Sequence, residues 1–310
     1  EESGSLGPLI ALANDLERPA IVRATAVAVL GEKATSPETE RAIAARLGDP
    51  DPAVRVEALA ALAPYPPDRR VALAGALLED DSRAVRAEAA RILAAGYARF
   101  DDARKTAFAA AAEDFVNKQN AIADRAAGHL LLAVFFTDLG DPAKAEAAYR
   151  LAQKVEPEFV PARLNFAGML EEQNRPDEAE KEYRAAVAAA MTDNDRGLAH
   201  DSLARFLIRQ KRYDEGIAEL ESATTLLPDD PRTQYFYGVA LNSLGRFPEA
   251  LPYLEKAHRL APRELEYLTG LATICRDAGK TDLALKYARE ALRLDPGNPS
   301  LLSLVRSLGG

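Results

Sequence analysis

The stretch 231–264, PRTQYFYGVALNSLGRFPEALPYLEKAHRLAPRE, is one period of a pattern that recurs along the chain. Shifted by 34 residues, Gly238, Gly245, Ala250, Ala257 and Pro262 fall on Ala272, Gly279, Ala284, Ala291 and Pro296. Shifted the other way, Gly238, Phe247, Ala250, Ala257 and Pro262 fall on Ala204, Tyr213, Gly216, Ala223 and Pro228. A unit with these marks reads as two antiparallel helices. Small residues at Gly238 and Ala250 let the helices approach closely, Gly245 supplies a turn with positive φ, and Pro262 stops the second helix. Such a pair cannot bury its apolar face alone, so stacked neighbours make the core.

Small, aromatic and proline positions agree together over consecutive units, and in this the pattern resembles the tetratricopeptide repeat. Five units run 126–159, 160–193, 197–230, 231–264 and 265–298, with proline stops at Pro157, Pro228, Pro262 and Pro296. The second unit carries Met191 at its proline position, followed by Thr192, Asp193, Asn194, Asp195 and Arg196, a polar insertion of three for which a longer loop is expected. The segment 299–310, PSLLSLVRSLGG, reads as a capping helix over the last unit, with Gly309 and Gly310 fraying.

Residues 1–97 carry a different repeat, marked by PAIVRATAVAVLG, PAVRVEALAALA and RAVRAEAARILA. Val22-Arg23, Val54-Arg55 and Val85-Arg86 are spaced by 32 and 31, shorter than the later period, and the units resemble the HEAT-like repeats of phycobilisome lyases. First helices are expected at about 6–15, 38–47 and 68–79, and second helices just before each Val-Arg, with Pro19, Asp51-Pro52 and Ser82 marking their starts. Arg23, Arg55 and Arg86 then stack in a row. Either they form an anion-binding stripe, or each bonds an acidic or carbonyl group of a neighbouring repeat. Pro64-Tyr65-Pro66-Pro67 is a stiff connection between helix pairs. Residues 98–125 bridge the two arrays as half a repeat, with Asp101 and Asp102 at the positive end of a helix and Ala111, Phe115 and Lys118 in the register of Ala145, Tyr149 and Ala152. The expected fold is all-α: an elongated α-solenoid of HEAT-like helix pairs continuing into a right-handed tetratricopeptide superhelix.

Composition agrees: hydrophobic residues make up 48% of the chain but aromatics only 6%, with no Trp, which suits Ala- and Leu-rich helix pairs better than a sheet. A net charge of −9 argues against a nucleic-acid or anionic-membrane partner, and no apolar run reaches the roughly 18 residues of a membrane span. The single cysteine, Cys275, reads as a buried small hydrophobe. The chain opens EESGSLGPLI, in mid-pattern and without an initiator Met, and reads as part of something longer.

No catalytic constellation is found: there is no phosphate loop, nucleophile elbow or Cys-pair metal motif. His129, His200 and His258 lie in different units, two of them at the same place, which marks a structural position rather than a ligand set. What remains is a groove lined by the first helix of each unit. Its face selects Glu171, Glu172, Asp201, Arg205, Arg209, Tyr235, Val239, Asn242, Thr269, Thr273 and Arg276, and the protein-binding candidates among them are Arg205, Arg209, Tyr235, Asn242 and Arg276. Glu255 and Lys256 are placed on an inert outer face. The Lys, Asn and Arg arrangement by which chaperone-binding members of the family clamp a terminal carboxylate is absent, so chaperone binding is not expected.

The combination of PAIVRATAVAVLG units, a bridge, and units containing QYFYGVALNSLGR and LATICRDAGK resembles the C-terminal part of bacterial multihaem c-type cytochromes. This chain has no CxxCH, so no cofactor is expected in it. The resemblance implies a periplasmic or extracellular location; without it the location is cytoplasmic. The expected function is a non-catalytic interaction scaffold that docks a protein partner or a haem-bearing region of its own. The alternatives are a lyase or transferase of the bilin-lyase kind, and a structural unit that assembles into a homo-oligomer.

Overall fold

The computed structural model describes residues 3–32 and 36–309, with side chains from residue 6 onward. Every regular element among them is helical, and by contact they divide after Glu156 into two compact units.

The first unit opens with α1 (Ser3–Asn14), α2 (Ala20–Gly31), α3 (Pro37–Arg46) and α4 (Pro52–Ala60). It continues with α5 (Pro67–Ala74), α6 (Arg83–Leu93), α7 (Asp102–Asn120), α8 (Ala126–Asp138) and α9 (Pro142–Val155). Local chemistry sets the boundaries. The Asp51 side chain accepts from the Ala53 amide with Pro52 in the first turn, and Asp101 and Asp141 accept from Arg104 and Lys144. Ser82 precedes α6 but its side chain makes no cap; the Asp80 carboxylate accepts from the Ser82 amide instead. The helix expected over 68–79 is α only to Ala74 and tightens to a 3₁₀ turn from Gly75 to Glu79, starting at the residue of poorest helix propensity there.

The arginine row is structural. Arg23 donates to the Asp49 carboxylate at 2.7 and 3.0 Å and to the Arg18 carbonyl. Arg55 donates to Asp80 and to the Asp49 carbonyl, each at 2.8 Å, and Arg86 donates to Asp114 and to the Asp80 carbonyl at the same distance. Each guanidinium thus ties the loop before its own helix to a carboxylate one repeat further on, so the row is engaged in contacts within the protein. Burial alone raises the Asp49 carboxyl, yet the hydrogen bonds from Arg23 and the Asp51 amide outweigh it and hold the group below its usual range.

The bridging helix α7 closes the row with Asp114 and packs on both α6 and α8. Ala111 and Phe115 are buried as their register requires, whereas Lys118 is exposed where Ala152 is buried. An aromatic cluster fills this joint: Phe108 contacts Tyr97 and Phe100, and Phe115 lies 4.7 Å from Phe135, ring to ring.

The second unit comprises α10 (Val160–Glu172), α11 (Pro176–Ala189), α12 (Asp193–Arg209), α13 (Tyr213–Leu226) and α14 (Pro231–Ser243). After these come α15 (Phe247–Leu260), α16 (Leu265–Asp277), α17 (Thr281–Leu294) and α18 (Pro299–Ser307). They pair α10 with α11, α12 with α13, α14 with α15 and α16 with α17, and α18 packs on α17. The prolines at 228, 262 and 296 follow helix ends at Leu226, Leu260 and Leu294. The longer loop expected at 192–196 does not form; the insertion is an extra turn at the start of α12. Thr192 accepts from the Asp195 amide, and Asp193 and Asp195 sit at the positive helix end, so capping and charge favour helix over loop. Gly310 lies outside the described residues, and Gly309 closes α18 with φ of 83°.

Candidate protein-binding groove

The first helices α12 and α14 are set side by side by their pairing with α13. A Cβ on Gly216 of α13 would lie 2.7 Å from Ile208 Cγ1 and 3.1 Å from the Ala204 carbonyl, so a side chain there would push Ile208 aside and glycine keeps α13 close on α12. At the far ends of the helices a cleft of about 640 Å³ opens. Its floor is apolar, made by Ile208, Tyr213, Ile217, Phe236, Val239 and Ala240, and Arg205, Arg209, Ser243 and Leu244 form the rim. Tyr213 and Leu244 are exposed there, 47% and 43%, which leaves apolar surface open to a ligand.

Both rim arginines are held in place by carboxylates. Arg209 donates Nε and Nη2 to the two oxygens of Glu171, at 2.6 and 2.7 Å, a bidentate pair that fixes the guanidinium plane. Tyr183 backs the same carboxylate, and burial, with Glu171 nearby, pushes its phenol up to about 12. Arg205 pairs with Asp201 at 2.9 Å one turn earlier and lies 5.7 Å from the centre of the Phe236 ring. The Arg232 guanidinium lies 5.5 Å from the centre of that ring, so two cations flank one aromatic. Asp201 is buried, and burial raises its carboxyl above the usual range despite the opposing charges of Arg205 and Arg232.

The five residues singled out from the sequence do not share one place. Arg205 and Arg209 are on the cleft rim. Tyr235 is half-buried against α16, its ring 4.8 Å from that of Tyr267 and its hydroxyl in the space that a Cβ on Gly270 would take. Asn242 is partly exposed on α14, outside the cleft lining. Arg276 bonds its neighbour Asp277 and borders a separate recess of about 420 Å³ with Ser300, Ser303 and Ser307 of α18. The floor residues Phe236, Ile208 and Ile217 were missed; the aromatic run Tyr235-Phe236-Tyr237 was the available signal, since three successive positions of a helix cannot all face its partner.

The histidines are engaged one by one. His129 bonds the Ala123 carbonyl at 2.9 Å, His200 bonds Glu219, and His258 pairs with Glu290. Cys275 is fully buried, and burial pushes its thiol up to about 11.

Models of the tetratricopeptide repeat match residues 136–194, 169–231 and 229–296, which together span more than half of the chain. Among curated proteins, the chain is 27% identical over 134 residues to the type IV pilus assembly protein PilF of Pseudomonas aeruginosa, covering 43% of this chain and 52% of that protein. It is 28% identical over 169 residues to Hsp70-Hsp90 organizing protein 1 of Glycine max, covering 53% of this chain and 29% of that protein. The chain therefore spans about half the length of one relative and under a third of the other. Among solved structures, PilW, titled a widely conserved type IV pilus biogenesis factor, aligns with a TM-score of 0.52 at 19% identity, over 71% of this chain and 98% of that one. That likeness is one of fold.

Proposed function

Because the chain belongs to the tetratricopeptide repeat family through residues 136–296, we propose that it is a non-catalytic scaffold whose α12–α14 cleft holds a segment of a partner protein. The observation that carries this reading is the cleft itself: an open apolar floor with two oriented guanidiniums at its edge. An aliphatic or aromatic anchor fits the floor, and the burial of such an anchor supplies most of the energy in interfaces of this kind. The Arg209 Nη1 group is not used in the pair with Glu171, so it is positioned to donate to a carbonyl or carboxylate of the segment. The proposed ligand is thus a peptide with an apolar anchor and a flanking acceptor, from a separate subunit or from the haem-bearing region that the cytochrome resemblance implies. The periplasmic location implied by the same resemblance belongs to this proposal, and fractionation of the native host checks it.

The test is to cross-link the chain to its partner, identify the attached segment by mass spectrometry, and measure that synthetic segment against variants. Val239→Asp on the floor should weaken binding by about 1 to 3 kcal/mol, and Arg209→Ala by a similar or smaller amount. A segment that binds Val239→Asp as tightly as the parent would overturn the assignment.

A further inference from the structure

The insertion between the second and third tetratricopeptide units lies outside the cleft. Met191 stands where the other four units carry proline, in the short link between the end of α11 and the cap at Thr192. It is 77% exposed, the most exposed large apolar side chain among the described residues. Two positions on, the Asp193 carboxylate is 78% exposed and meets only Arg196 of its own turn, at 3.6 Å. Asp195 accepts instead from the Thr192 hydroxyl, at 2.8 Å. Helices fix the backbone on either side, so the methionine is held out without the disorder of a free peptide. It adds nothing to the core, and its flexible, polarisable side chain suits an apolar recess.

This segment has the chemistry that the α12–α14 cleft calls for. The cleft floor is apolar, and its lining holds two guanidiniums and no carboxylate, in a chain whose net charge is −9. Arg232, beside Phe236 of the floor, has no ion pair among the described residues. An apolar anchor with a carboxylate two positions later complements both floor and rim. The segment cannot enter the cleft of its own chain. Met191 precedes α12, whereas Arg205 and Arg209 lie in the last two turns of that helix, so about 20 Å of helix separates anchor from cleft. In a second copy no such restraint holds.

We propose, on the reading of the cleft given above, that its occupant is the segment 191–193 of a second copy of this chain. Met191 enters the floor beside Phe236 and Val239, and Asp193 lies against the arginines of the rim. Anchor and cleft are different surfaces at opposite ends of α12, so the contact is head-to-tail and does not saturate in a dimer. Each copy fills one cleft and offers one anchor, which builds chains or rings.

Sedimentation of the full chain over a concentration series up to about 1 mM should show the mass rising past that of a dimer. Met191→Asp should weaken this association about tenfold or more, the loss common on removing a central anchor. Asp193→Lys should weaken it by a factor that shrinks as salt is added. Both side chains are exposed, so both variants should keep the circular dichroism of the parent. Complementation gives the decisive readout: Met191→Asp keeps a cleft and lacks an anchor, while Val239→Asp keeps an anchor and lacks a cleft. Where the parent assembles, each should stay monomeric alone, and their mixture should form a one-to-one pair and nothing larger. Leu244→Glu, on the exposed rim, is a second cleft variant in case Val239→Asp disturbs the fold. A parent that is monomeric throughout, a parent that stops at a dimer, or variants that do not pair when mixed overturns the proposal. A monomeric parent leaves the cleft itself standing, because the cleft is judged by Val239→Asp against a cross-linked foreign segment. Assembly that neither cleft variant disturbs removes the cleft as its seat.

Discussion

The replacement Gly245→Val isolates one backbone requirement of the repeat. Five helix pairs are joined by the same turn, with positive φ at Gly140 (72°), Asn174 (58°), Lys211 (63°), Gly245 (74°) and Gly279 (70°). In each, the residue after the turn donates its amide to a carbonyl five positions back, as Arg246 does to Leu241 at 3.0 Å, which closes the first helix. A Cβ on Gly245 would meet nothing within 4 Å, so any cost comes from the backbone and none from packing. An L-residue in this conformation costs about 1–2 kcal/mol, and losing the extra freedom of unfolded glycine returns about 0.5–1 kcal/mol. A β-branched side chain lies at the unfavourable end, so Gly245→Val should cost about 1 kcal/mol or slightly more. The reverse change, Lys211→Gly, should stabilise by about 0.5–1 kcal/mol by the same arithmetic. Repeat arrays do not always unfold in one step, so urea unfolding by circular dichroism should be joined to amide exchange over α14 and α15. If Gly245→Val unfolds like the parent, or Lys211→Gly is the weaker protein, the conformational account of these turns is wrong.

Two further outcomes follow from particular contacts. A Cβ on Gly238 would lie 2.6 Å from Leu254 Cγ, in the buried core, whereas one on Gly168 would meet nothing within 4 Å. Gly238→Leu should therefore cost about 1–3 kcal/mol through overpacking, while Gly168→Ala should gain up to about 1 kcal/mol of helix propensity, both read by urea titration. The Glu180 carboxyl is held below its usual pKa of 4.5 above all by the hydrogen bond from Arg212, against a smaller opposing effect of burial. A depressed carboxylate contributes stability that is complete above its unfolded pKa and is lost as pH falls through the folded value. The α11–α13 contact should thus weaken below about pH 4.5, and Glu180→Gln should flatten that part of the stability profile.

What was legible in the sequence is what depends on residues near one another. The 34-residue period pointed to an all-helical fold of paired helices, because small contacts, turn glycines and stopping prolines act within one pair. The Val-Arg spacing pointed to the second helices of the shorter repeats but left two readings of their arginines open, and the bonds to Asp49 and Asp80 decide between them. The insertion at 192–196 was misread because its residues suit loops and helix starts alike, and the Thr192 cap decides between them. The cleft was only half legible. Arg205 and Arg209 were selected from the exposed face of α12, but the carboxylate that fixes Arg209 lies 38 positions away, and Phe236 and Ile217 reach the floor from two other helices. Such convergence depends on how consecutive pairs are rotated, which a one-dimensional period does not encode.

The same reasoning alters the choice of controls for the groove. Glu255 was placed on an inert outer face, yet it accepts a 2.7 Å hydrogen bond from the Tyr287 hydroxyl in the next repeat. Tyr287 is 3% exposed, and burial, with this bond to a carboxylate, drives its phenol well above the usual range. Removing Glu255 would leave that buried hydroxyl without its partner, a stability cost unrelated to any ligand. Comparable links join other second helices: Arg212 to Glu180, Arg184 to Glu215 and His258 to Glu290. The outer face is therefore a line of contacts between repeats, and substituting its carboxylates perturbs the stacking that shapes the groove opposite. Lys256, for which no such link is found among the described residues, is the position against which groove variants should be compared.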